Sequence, residues 1–492
     1  TAQRDRGRNT GMLVWKVAIC LLGTATGARI EEAYVYPRIL EERSSDGLKL
    51  VSVDGKTTLR LEKASVLADT LLMTSYDENG QMTHTLIQAE EIEKHHYRDR
   101  DRHASLMVRD TENGLEMTGM VDAVTRIEPV LTAPRSLDGS LPHRLHTMAA
   151  EDLERLKKIA TPIKTPMASL LTPSWMWFDP HWLEAKQEVS IISDSEHHKG
   201  MTREQICAYV VVLMTAVNMR FDQTSYPTLQ FRVVQIVTTT EKEEKSFLHM
   251  HNGYVEPEVT LKKMFNFTRQ YEVNYPDLFV VLSGRDLATL KNGYLSKGIA
   301  GMALVGGACT AYANYAIAED RGQVYLGVHF VTHELGHSYG CVHDGEGRAE
   351  YIPGHRGSQD PDCNPIRGFI MSYLEGGIRK FYFSRCCMQD MRNFLSNQLR
   401  SCFENTFSHD IMKMFPNFLP ASVTPVSVYC KAKYPDMIGV HHEPDLRMEV
   451  NCLVVCSGKN TDGSRRSLVA PAQDGMICDK GKRCIKGQCI TG

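Results

Sequence analysis

Hydrophobic and polar positions follow a strand-like pattern in the first third of the chain. Between residues 29 and 165, apolar and polar residues alternate in short segments such as Leu48–Val53, Thr57–Leu61 and Leu71–Ser75. Turn residues, for example Asp54-Gly55, separate these segments. Alternation with a period of two is typical of strands that bury one face. The pattern therefore predicts a β-rich N-terminal unit.

The pattern changes at Glu188, where short apolar strands begin to alternate with helical segments. EVSII, FRVVQIV and LFVVLS read as strands, and Thr202–Phe221 reads as a helix that packs one apolar face on a sheet. Such alternation favours an α/β fold with a mostly parallel sheet. The longest apolar run, Ile206–Val217, is shorter than the roughly 20 residues that cross a bilayer. We therefore expect a buried core segment there and no transmembrane anchor.

Composition narrows the class of protein. A chain of 492 residues is long enough for two to four domains. A formal net charge of −3 removes the electrostatic motive for binding nucleic acid, so we expect no nucleic-acid partner. The 14 cysteines include none between Cys20 and Cys207, and six follow residue 429. This distribution predicts a terminal segment stabilised by disulfides, which form in oxidising compartments.

The beginning of the chain has the pattern of a secretory signal. MLVWKVAICLLGTATGAR, which starts at Met12, is a short apolar stretch followed by small residues, and cleavage is expected near Gly27 or Ala28. A buried or amphipathic N-terminal helix is the alternative. The pattern predicts a secreted, extracellular protein, and Asn266 in Asn-Phe-Thr is a glycosylation candidate.

The strongest chemical signal is the segment HELGHSYGCVHD. His333 and His337 lie four residues apart, so on a helix both imidazoles leave one face and bind one ion at about 2.0–2.1 Å. Gly340 permits a positive φ that ends the helix and lets His343 supply a third ligand. Three neutral nitrogens leave a fourth position for water, as in catalytic zinc sites. Glu334 is then the general base for hydrolysis of a peptide bond.

Chance does not explain this spacing. With 19 histidines in the chain, a bare HExxH is expected in roughly one such sequence in twenty, and the added Gly and His lower this by about two to three powers of ten. His329 lies about 12 Å along a helix from His337, so we expect it at a strand end or in a first helical turn, without a share in the ion. Histidine pairs such as His197-His198 are expected to be solvated.

The motif resembles that of the metzincin metalloproteases. Asp344, after the third histidine, favours the adamalysin (reprolysin, M12B-like) branch over the astacin, matrixin and serralysin branches. Downstream, GFIMSY is similar to the Met-turn that lies beneath the zinc in this family, with Met371 as its methionine. The overall layout is similar to that of secreted reprolysin-like proteases of tick saliva. The resemblance implies an α/β zinc-protease domain with a mostly parallel twisted sheet and helices.

The patterns and the resemblance together predict five segments. A β-rich prodomain precedes the protease domain, and a small disulfide-rich domain follows it. The segments are a signal region (1–28, with translation starting at Met12), a prodomain (29–165), a Pro/Trp-rich linker (166–185), a reprolysin-like catalytic domain (186–405) and a cysteine-rich domain (406–492).

The resemblance also implies a calcium site. Glu188, Asp277 and the terminal residues Cys402 and Asn405 occupy the positions of the family's calcium ligands, and oxygen ligands suit Ca²⁺. The alternative is a helix cap, a surface carboxylate and a polar terminus without an ion. By the same resemblance, Cys309 pairs with Cys402.

Two departures from the family pattern change the expectations. Reprolysin prodomains commonly hold the enzyme latent through a cysteine on zinc, but this chain has none between Cys20 and Cys207. Our hypothesis is that the prodomain inhibits or assists folding by another route, such as insertion of the Trp-rich linker into the cleft. Tyr373 is similar to the tyrosine of astacins and serralysins that approaches zinc, the alternative being a packed side chain.

The cysteine count predicts one free thiol. Once Cys20 leaves with the signal, thirteen cysteines remain, which is an odd number. Cys207, on the apolar helix, is the candidate for the unpaired residue. The six cysteines of the tail allow 15 pairings, and the sequence does not choose among them.

We therefore expect a secreted zinc metalloendopeptidase that cuts extracellular proteins, with matrix proteins or fibrinogen as the substrates that the resemblance implies. The cysteine-rich tail is expected to contact matrix or the cell surface, or else to act as a stabilising cap. The alternative function is a catalytically silent binding or antagonist protein that acts through this tail. A metzincin of another branch is a third reading, against which Asp344 weighs.

Overall fold

Most of the chain forms short strands and helices, which a computed structural model describes. The described residues are 32–43, 47–76, 80–160, 184–225, 227–269, 276–291, 293–310, 312–322, 324–374, 377–398, 402, 421, 426–460, 462–485 and 487–491. The predicted signal region, the Pro/Trp-rich linker from 166 to 183, and Asn405 lie outside them.

The strands of the described residues are β1 (Glu32–Val35), β2 (Arg38–Arg43), β3 (Leu48–Ser52), β4 (Thr58–Lys63), β5 (Leu67–Tyr76), β6 (Met82–Gln88), β7 (His96–Asp99), β8 (Ala104–Thr111), β9 (Gly114–Met120), β10 (Thr125–Pro129), β11 (His143–Thr147), β12 (Ile159–Ala160), β13 (Glu184–Ser193), β14 (Thr228–Thr238), β15 (Met250–His251), β16 (Tyr254–Val255), β17 (Leu278–Ser283), β18 (Thr289–Lys291), β19 (Tyr294–Ser296), β20 (Ile299–Ala303), β21 (Tyr315–Glu319), β22 (Ile438–His442), β23 (Leu453–Lys459), β24 (Arg465–Pro471), β25 (Ile477–Asp479), β26 (Lys482–Ile485) and β27 (Gln488–Thr491). The helices are α1 (Ala89–Glu93), α2 (Ala150–Arg155), α3 (Arg203–Phe221), α4 (Glu241–Phe247), α5 (Pro257–Thr268), α6 (Gly327–Ser338), α7 (Arg385–Ser396), α8 (Val426–Lys433) and α9 (Leu446–Glu449), with 3₁₀ turns at Pro361–Cys363, Pro365–Arg367 and Gly377–Phe381.

The N-terminal region forms an antiparallel sheet of nine strands in the order β1-β11-β10-β9-β8-β7-β4-β3-β2. The strands predicted near Leu48–Val53 and Thr57–Leu61 are confirmed as β3 and β4. Their alternation has the expected cause, since Leu59 and Leu61 are fully buried whereas Arg60 between them is exposed. One face of this sheet therefore contributes to a core of its own.

A second sheet of eight strands has the order β12-β20-β21-β17-β13-β14-β5-β6. Along the order β21-β17-β13-β14-β5, each strand pairs in parallel with its neighbour, and β12 pairs in parallel with β20. The pairs β20–β21 and β5–β6 are antiparallel. Three of these strands, β5, β6 and β12, belong to the predicted prodomain. The prodomain boundary predicted at residue 165 thus does not separate two sheets, because strands from the N-terminal region extend this second sheet at both edges.

Helix α3 crosses between the two sheets. Thr202 caps its start, with its hydroxyl accepting a hydrogen bond from the Gln205 N–H at 3.3 Å while the Gln205 side chain accepts one from the Thr202 N–H at 2.8 Å. The expectation of one packed face is wrong, since every residue of Tyr209–Phe221 is buried. The reason is that α3 contacts β14 and α6 on one side and β7, β8 and β9 of the N-terminal sheet on the other. A helix that is apolar all round is buried all round.

Polar contacts hold the N-terminal region against the rest. The buried Arg126 guanidinium donates to the Val324 carbonyl at 2.8 Å. Arg100 forms an ion pair with Asp222 at 3.0 Å. The N-terminal region is therefore packed on the elements that precede α6.

Disulfides stabilise the second half of the described chain. The Cys309–Cys402 pair expected from the resemblance is confirmed. The five further bonds are Cys341–Cys387, Cys363–Cys386, Cys430–Cys456, Cys452–Cys484 and Cys478–Cys489. The tail contains two small antiparallel sheets, β22–β24 and β25–β27. Cys452–Cys484 links them, and the buried cluster beside the second sheet consists of Cys452, Cys478 and Cys484. None of the described helices is both long and apolar enough to cross a membrane.

Cys207 is the free cysteine among the described residues, as predicted, and it is buried within α3. Burial raises the pKa of its thiol to about 12. We expect iodoacetamide at pH 8 to leave Cys207 unlabelled in the native protein and to label it fully in denaturant without reductant, as measured by peptide mass spectrometry. Cys402 is the control and should react only after reduction. Labelling of Cys207 in the native protein would contradict this packing.

Candidate metal centre and cleft

The helix that carries the HExxH motif begins and ends at defined contacts. At its start, the Asp320 carboxylate accepts a hydrogen bond from the Gly327 N–H at 2.9 Å, and the Tyr209 hydroxyl of α3 donates to the same carboxylate. At its end, Gly340 adopts the predicted positive φ, 100°. A Cβ at this position would lie 2.9 Å from the Cβ of Phe394, so glycine is required for space as well as for backbone freedom. The turn brings the chain back beside the helix.

The structure brings the three predicted zinc ligands together. The Nε2 atoms of His333 and His337 are 3.0 Å apart, and each lies 3.2 Å from the Nε2 of His343. All three side chains are buried. Three nitrogens with this spacing share a point about 2.0–2.1 Å from each of them, which is the length of a zinc–imidazole bond. The donor set therefore fits a zinc ion with a position left open.

The other ring nitrogen of each histidine fixes the tautomer. His333 Nδ1–H donates to the Ile370 carbonyl at 2.8 Å, and His337 Nδ1–H donates to the Cys341 carbonyl at 2.8 Å. With the proton on Nδ1, the lone pair on Nε2 faces the shared point. Burial, together with the charges of His343 and His329, lowers the pKa of His333 well below its usual value. A neutral imidazole is the form that binds a metal.

The third histidine has a side-chain partner that sequence reasoning missed. His343 Nδ1 lies 3.3 Å from a carboxylate oxygen of Glu346, and the Tyr373 hydroxyl donates to the same oxygen at 2.7 Å. The Tyr373 hydroxyl also contacts His343 Nδ1. Tyr373 thus lies at the nitrogen that faces away from the shared point, instead of approaching the metal position. The sequence did contain a signal for this partner, because Glu346 follows the third predicted ligand, His343, by three residues.

Glu334 lies fully buried beside the ligands. No described residue makes a hydrogen bond to either of its carboxylate oxygens, and burial raises the pKa of this group well above its usual value. Gly301 on strand β20 leaves the space that the carboxylate occupies, because a Cβ at residue 301 would collide with it. A buried carboxylate without partners is costly. A neighbouring cation would favour its ionised form.

Met371 lies directly beneath the helix, as expected for a Met-turn. A Cβ on Gly336 would come within 2.7 Å of the Met371 sulfur, so the glycine inside the HExxH motif permits this close approach. The Met371 carbonyl accepts a hydrogen bond from the Asp344 N–H at 2.9 Å. Met371, Ile370 and the zinc-binding loop are therefore held as one unit. His329 lies in the first turn of α6, as predicted.

Some members of the predicted calcium set come together. Asp277 accepts a hydrogen bond from the Glu188 N–H at 2.8 Å, and the Cys402 carbonyl accepts one from the Gln187 side chain at 2.6 Å. Burial, reinforced by the charge of Glu188, raises the pKa of Asp277 to about 8. Asn405 lies outside the described residues. Calcium binding stays a prediction.

Two other predictions concern residues away from the centre. The expectation that His197 is solvated is wrong, because its ring is buried, with Nδ1 2.7 Å from the Ser193 hydroxyl and Nε2 3.2 Å from Asp320. This contact helps to hold the carboxylate that caps α6. Asn266 is exposed on α5, so glycosylation there stays a prediction.

Comparison with known proteins identifies the domain that carries this centre. Residues 186–384 match the family Reprolysin_5, described as metallo-peptidase family M12. A protein of Bombyx mori named "A disintegrin and metalloproteinase with thrombospondin motifs like" is 26% identical over 62% of this chain and 44% of its own length. Venom metalloproteinase BumaMPs1 of Olivierus martensii is 26% identical over 76% of this chain and 92% of its own.

Among solved structures, metalloproteinase-II from Bacteroides fragilis is similar over 68% of this chain and 89% of its own, with 11% identity and a TM-score of 0.30. The chain spans less than half of the Bombyx mori relative.

The family match covers the elements from β13 to the start of α7, with the three histidines, Glu334 and Met371 inside it. The chain therefore carries, in residues 186–384, a reprolysin-type domain of metallo-peptidase family M12.

Proposed function

We propose that the protein is a secreted zinc-dependent endopeptidase that hydrolyses peptide bonds of extracellular proteins. The observation that carries the proposal is the convergence of the Nε2 atoms of His333, His337 and His343 within 3.2 Å of one another, next to the buried Glu334. The venom metalloproteinase among the relatives supports an extracellular setting and protein substrates. Contact of the cysteine-rich tail with matrix or cell surfaces remains a prediction.

The residues of the chain have separate tasks in such a reaction. A zinc ion held by the three histidines would supply a Lewis acid that lowers the pKa of water and polarises a carbonyl group. Glu334 would accept the proton of the attacking water and deliver it to the leaving amine. Strand β20, at whose Gly301 the carboxylate lies, offers a backbone on which an extended peptide can pair. The buried position of Glu334 excludes bulk water from this transfer.

The first prediction concerns the general base. Replacing Glu334 by Ala removes the proton acceptor but none of the metal ligands, so we expect kcat/KM for a fluorogenic peptide to fall by about 10²–10⁴-fold while the zinc content stays at wild type. A chelator should abolish the wild-type activity. Equal cleavage by the alanine variant would rule out this mechanism and favour a binding or antagonist function.

The second prediction concerns the partner of His343. We expect Glu346→Gln to weaken zinc affinity by about 10–100-fold, because it removes the charge that the His343 N–H faces. Tyr373→Phe should also weaken zinc affinity, because its hydroxyl contacts the same His343 nitrogen, but turnover at saturating zinc should stay close to wild type, because the hydroxyl lies on the side of the ring away from the metal position. Glu350→Gln, at a side chain that is 82% exposed, is the control. Competition with a zinc chelator measures the affinity, and an unchanged affinity in Glu346→Gln would contradict the role of this carboxylate.

We also propose that residues 29–165 act as an inhibitory prosegment that works without a cysteine. Strand β12 supports this, because its backbone pairs in parallel with β20, Ile159 opposite Ile299 and Ala160 opposite Gly301. An extended substrate would need the same edge of β20. The inhibitory role that we had suggested for the Trp-rich linker falls on residues outside the described ones.

Two basic side chains hold this segment. Lys158 Nζ lies 2.7 and 2.9 Å from the two carboxylate oxygens of the buried Glu319. Arg155 lies 2.5 Å from Asp286. Burial acts to raise the pKa of Asp286, but Lys158 and Arg155 outweigh it and the pKa is lowered. These ion pairs therefore stabilise the segment against the cleft edge.

The third prediction tests, in the full chain, whether the ion pairs of Arg155 and Lys158 hold β12 on β20. On a Glu334→Ala background, which prevents self-cleavage, Arg155→Gln with Lys158→Gln should raise hydrogen exchange at the backbone amides of β20 by about tenfold or more. With Glu334 intact, the same pair should raise peptide cleavage. Lys157→Gln is the matched control, since Lys157 is 54% exposed and pairs with Glu154. Unchanged hydrogen exchange in the double variant would show that these ion pairs do not hold β12 on β20.

A further inference from the structure

A cavity of about 320 Å³ lies against the metal centre. Zinc ligand His333 and Tyr373 belong to its lining, which places the cavity beside the bond that the proposed enzyme would cleave. Its walls come from α6, from the segment after Met371 and from the N-terminal region. Tyr373 and Leu374, which are both exposed, connect the cavity to the surface.

The charged side chains among the described lining residues are all basic, although Lys157 and Lys158 are paired with Glu154 and Glu319 outside the lining. Among the described residues that line it, none is Asp or Glu. The basic lining residues are Arg126, Lys157, Lys158, Arg220 and Lys380. Three of them belong to the N-terminal region, but Arg220 and Lys380 lie in the metzincin domain and stay with it after any removal of the prosegment. The cavity is therefore suited to an anion.

Arg220, near the end of α3, is a buried cation for which the described residues supply no counter-ion. Arg220 is 6% exposed, and no described residue makes a hydrogen bond to its Nη1 atom. The guanidinium carbon lies 4.3 Å from the centre of the Phe381 ring. Burial lowers the pKa of Arg220 to about 10, and Tyr382 acts in the opposite direction. The same positive charge lowers the pKa of His329 and His103, after the larger effect of burial.

An unpaired buried charge destabilises a fold strongly unless a partner arrives. The guanidinium is a planar fork that binds carboxylates in a bidentate way. Apolar neighbours in the lining, such as Val328 and Phe369, suit the methylene groups of a side chain that carries the carboxylate inward. The residue that completes this cavity is thus acidic.

We propose that this cavity is a substrate subsite next to the scissile bond that accepts an Asp or Glu side chain, whose carboxylate binds Arg220. The proposal rests on the endopeptidase function above and names its substrate class: peptides with an acidic residue beside the cleaved bond. Lys380 reinforces the preference by its charge. Arg220 then determines specificity while contributing nothing to the bond-breaking step.

The first test measures binding without activity. In thermal unfolding of the full chain at fixed ionic strength, glutarate should raise the Tm of the wild type, and the neutral isostere glutaramide should not. Arg220→Met, which keeps the stack on Phe381, should abolish the shift caused by glutarate. Arg203→Met is the matched control at the exposed start of the same helix, where Arg203 donates to the Thr85 hydroxyl at 3.0 Å, and it should keep the shift. An equal shift in the wild type and Arg220→Met would overturn the proposal.

The second test measures specificity in the secreted protein. Cleavage sites are first mapped in a peptide library, and peptides with Glu or Gln at the preferred position beside the bond are then compared. We expect kcat/KM to favour Glu by roughly tenfold to a thousandfold in the wild type and in Arg203→Met, and the ratio to approach about one in Arg220→Met. A wild type that cuts both peptides equally would overturn the subsite.

The two tests separate the subsite from the function. If the secreted, zinc-loaded protein cleaves no peptide, the endopeptidase proposal fails, and the glutarate shift still decides whether the cavity binds a carboxylate. A purely structural Arg220 predicts that Arg220→Met lowers the Tm without ligand. If Arg220 serves substrate binding, its buried charge is costly to the fold, and we expect the Tm of Arg220→Met without ligand to be unchanged or raised.

Discussion

The hydrogen bonds of the three Nδ1 atoms are the constraint on which the metal centre depends. The Nδ1 atom of each histidine has a fixed partner: the Ile370 carbonyl for His333, the Cys341 carbonyl for His337, and the Tyr373 hydroxyl with the Glu346 carboxylate for His343. These partners come from three places, namely the Met-turn, the end of α6 and the loop that follows it. Because the Nδ1 atoms are held there, the three Nε2 lone pairs face one point. The fold positions these partners as much as it positions ligands.

Neighbouring groups can lie close to the metal-binding helix and its turn because three glycines leave room for them. Gly336 admits Met371, Gly301 admits the Glu334 carboxylate, and Gly340 lets the chain pass Phe394. Disulfide Cys341–Cys387 fixes the chain directly after this turn. Helix α3 supports the other side and carries both Tyr209, which binds the cap of α6, and Arg220. The metal centre and the proposed acidic-residue subsite therefore share one buried helix.

Sequence reasoning predicted what depends on local spacing. The i and i+4 histidines, the positive φ of Gly340, the helix from Thr202 and the strands near Leu59 all follow from periods and turns in the chain itself. Family resemblance added the Cys309–Cys402 bond. The features that the sequence did not predict depend on contacts between residues that are distant from one another in the chain.

The full burial of α3 needs the N-terminal sheet, and the pairing of β12 with β20 joins residues about 140 positions apart, for which no local pattern exists. That the described residues supply Arg220 with no counter-ion could likewise not be predicted from the sequence, because it is a property of packing. Glu346 was the one missed residue with a local signal, three positions beyond His343. The metal-binding motif could thus be predicted from the sequence. The proposed inhibitory prosegment and the proposed subsite could not, because both depend on long-range contacts.

X-ray absorption at the zinc edge of the zinc-loaded chain tests the central claim most directly. We expect one zinc per chain with three imidazole nitrogens at about 2.0–2.1 Å and a light oxygen donor, with no sulfur scatterer. A sulfur neighbour at about 2.3 Å, or a wild-type spectrum retained after His343→Ala, would contradict a centre built from these three histidines.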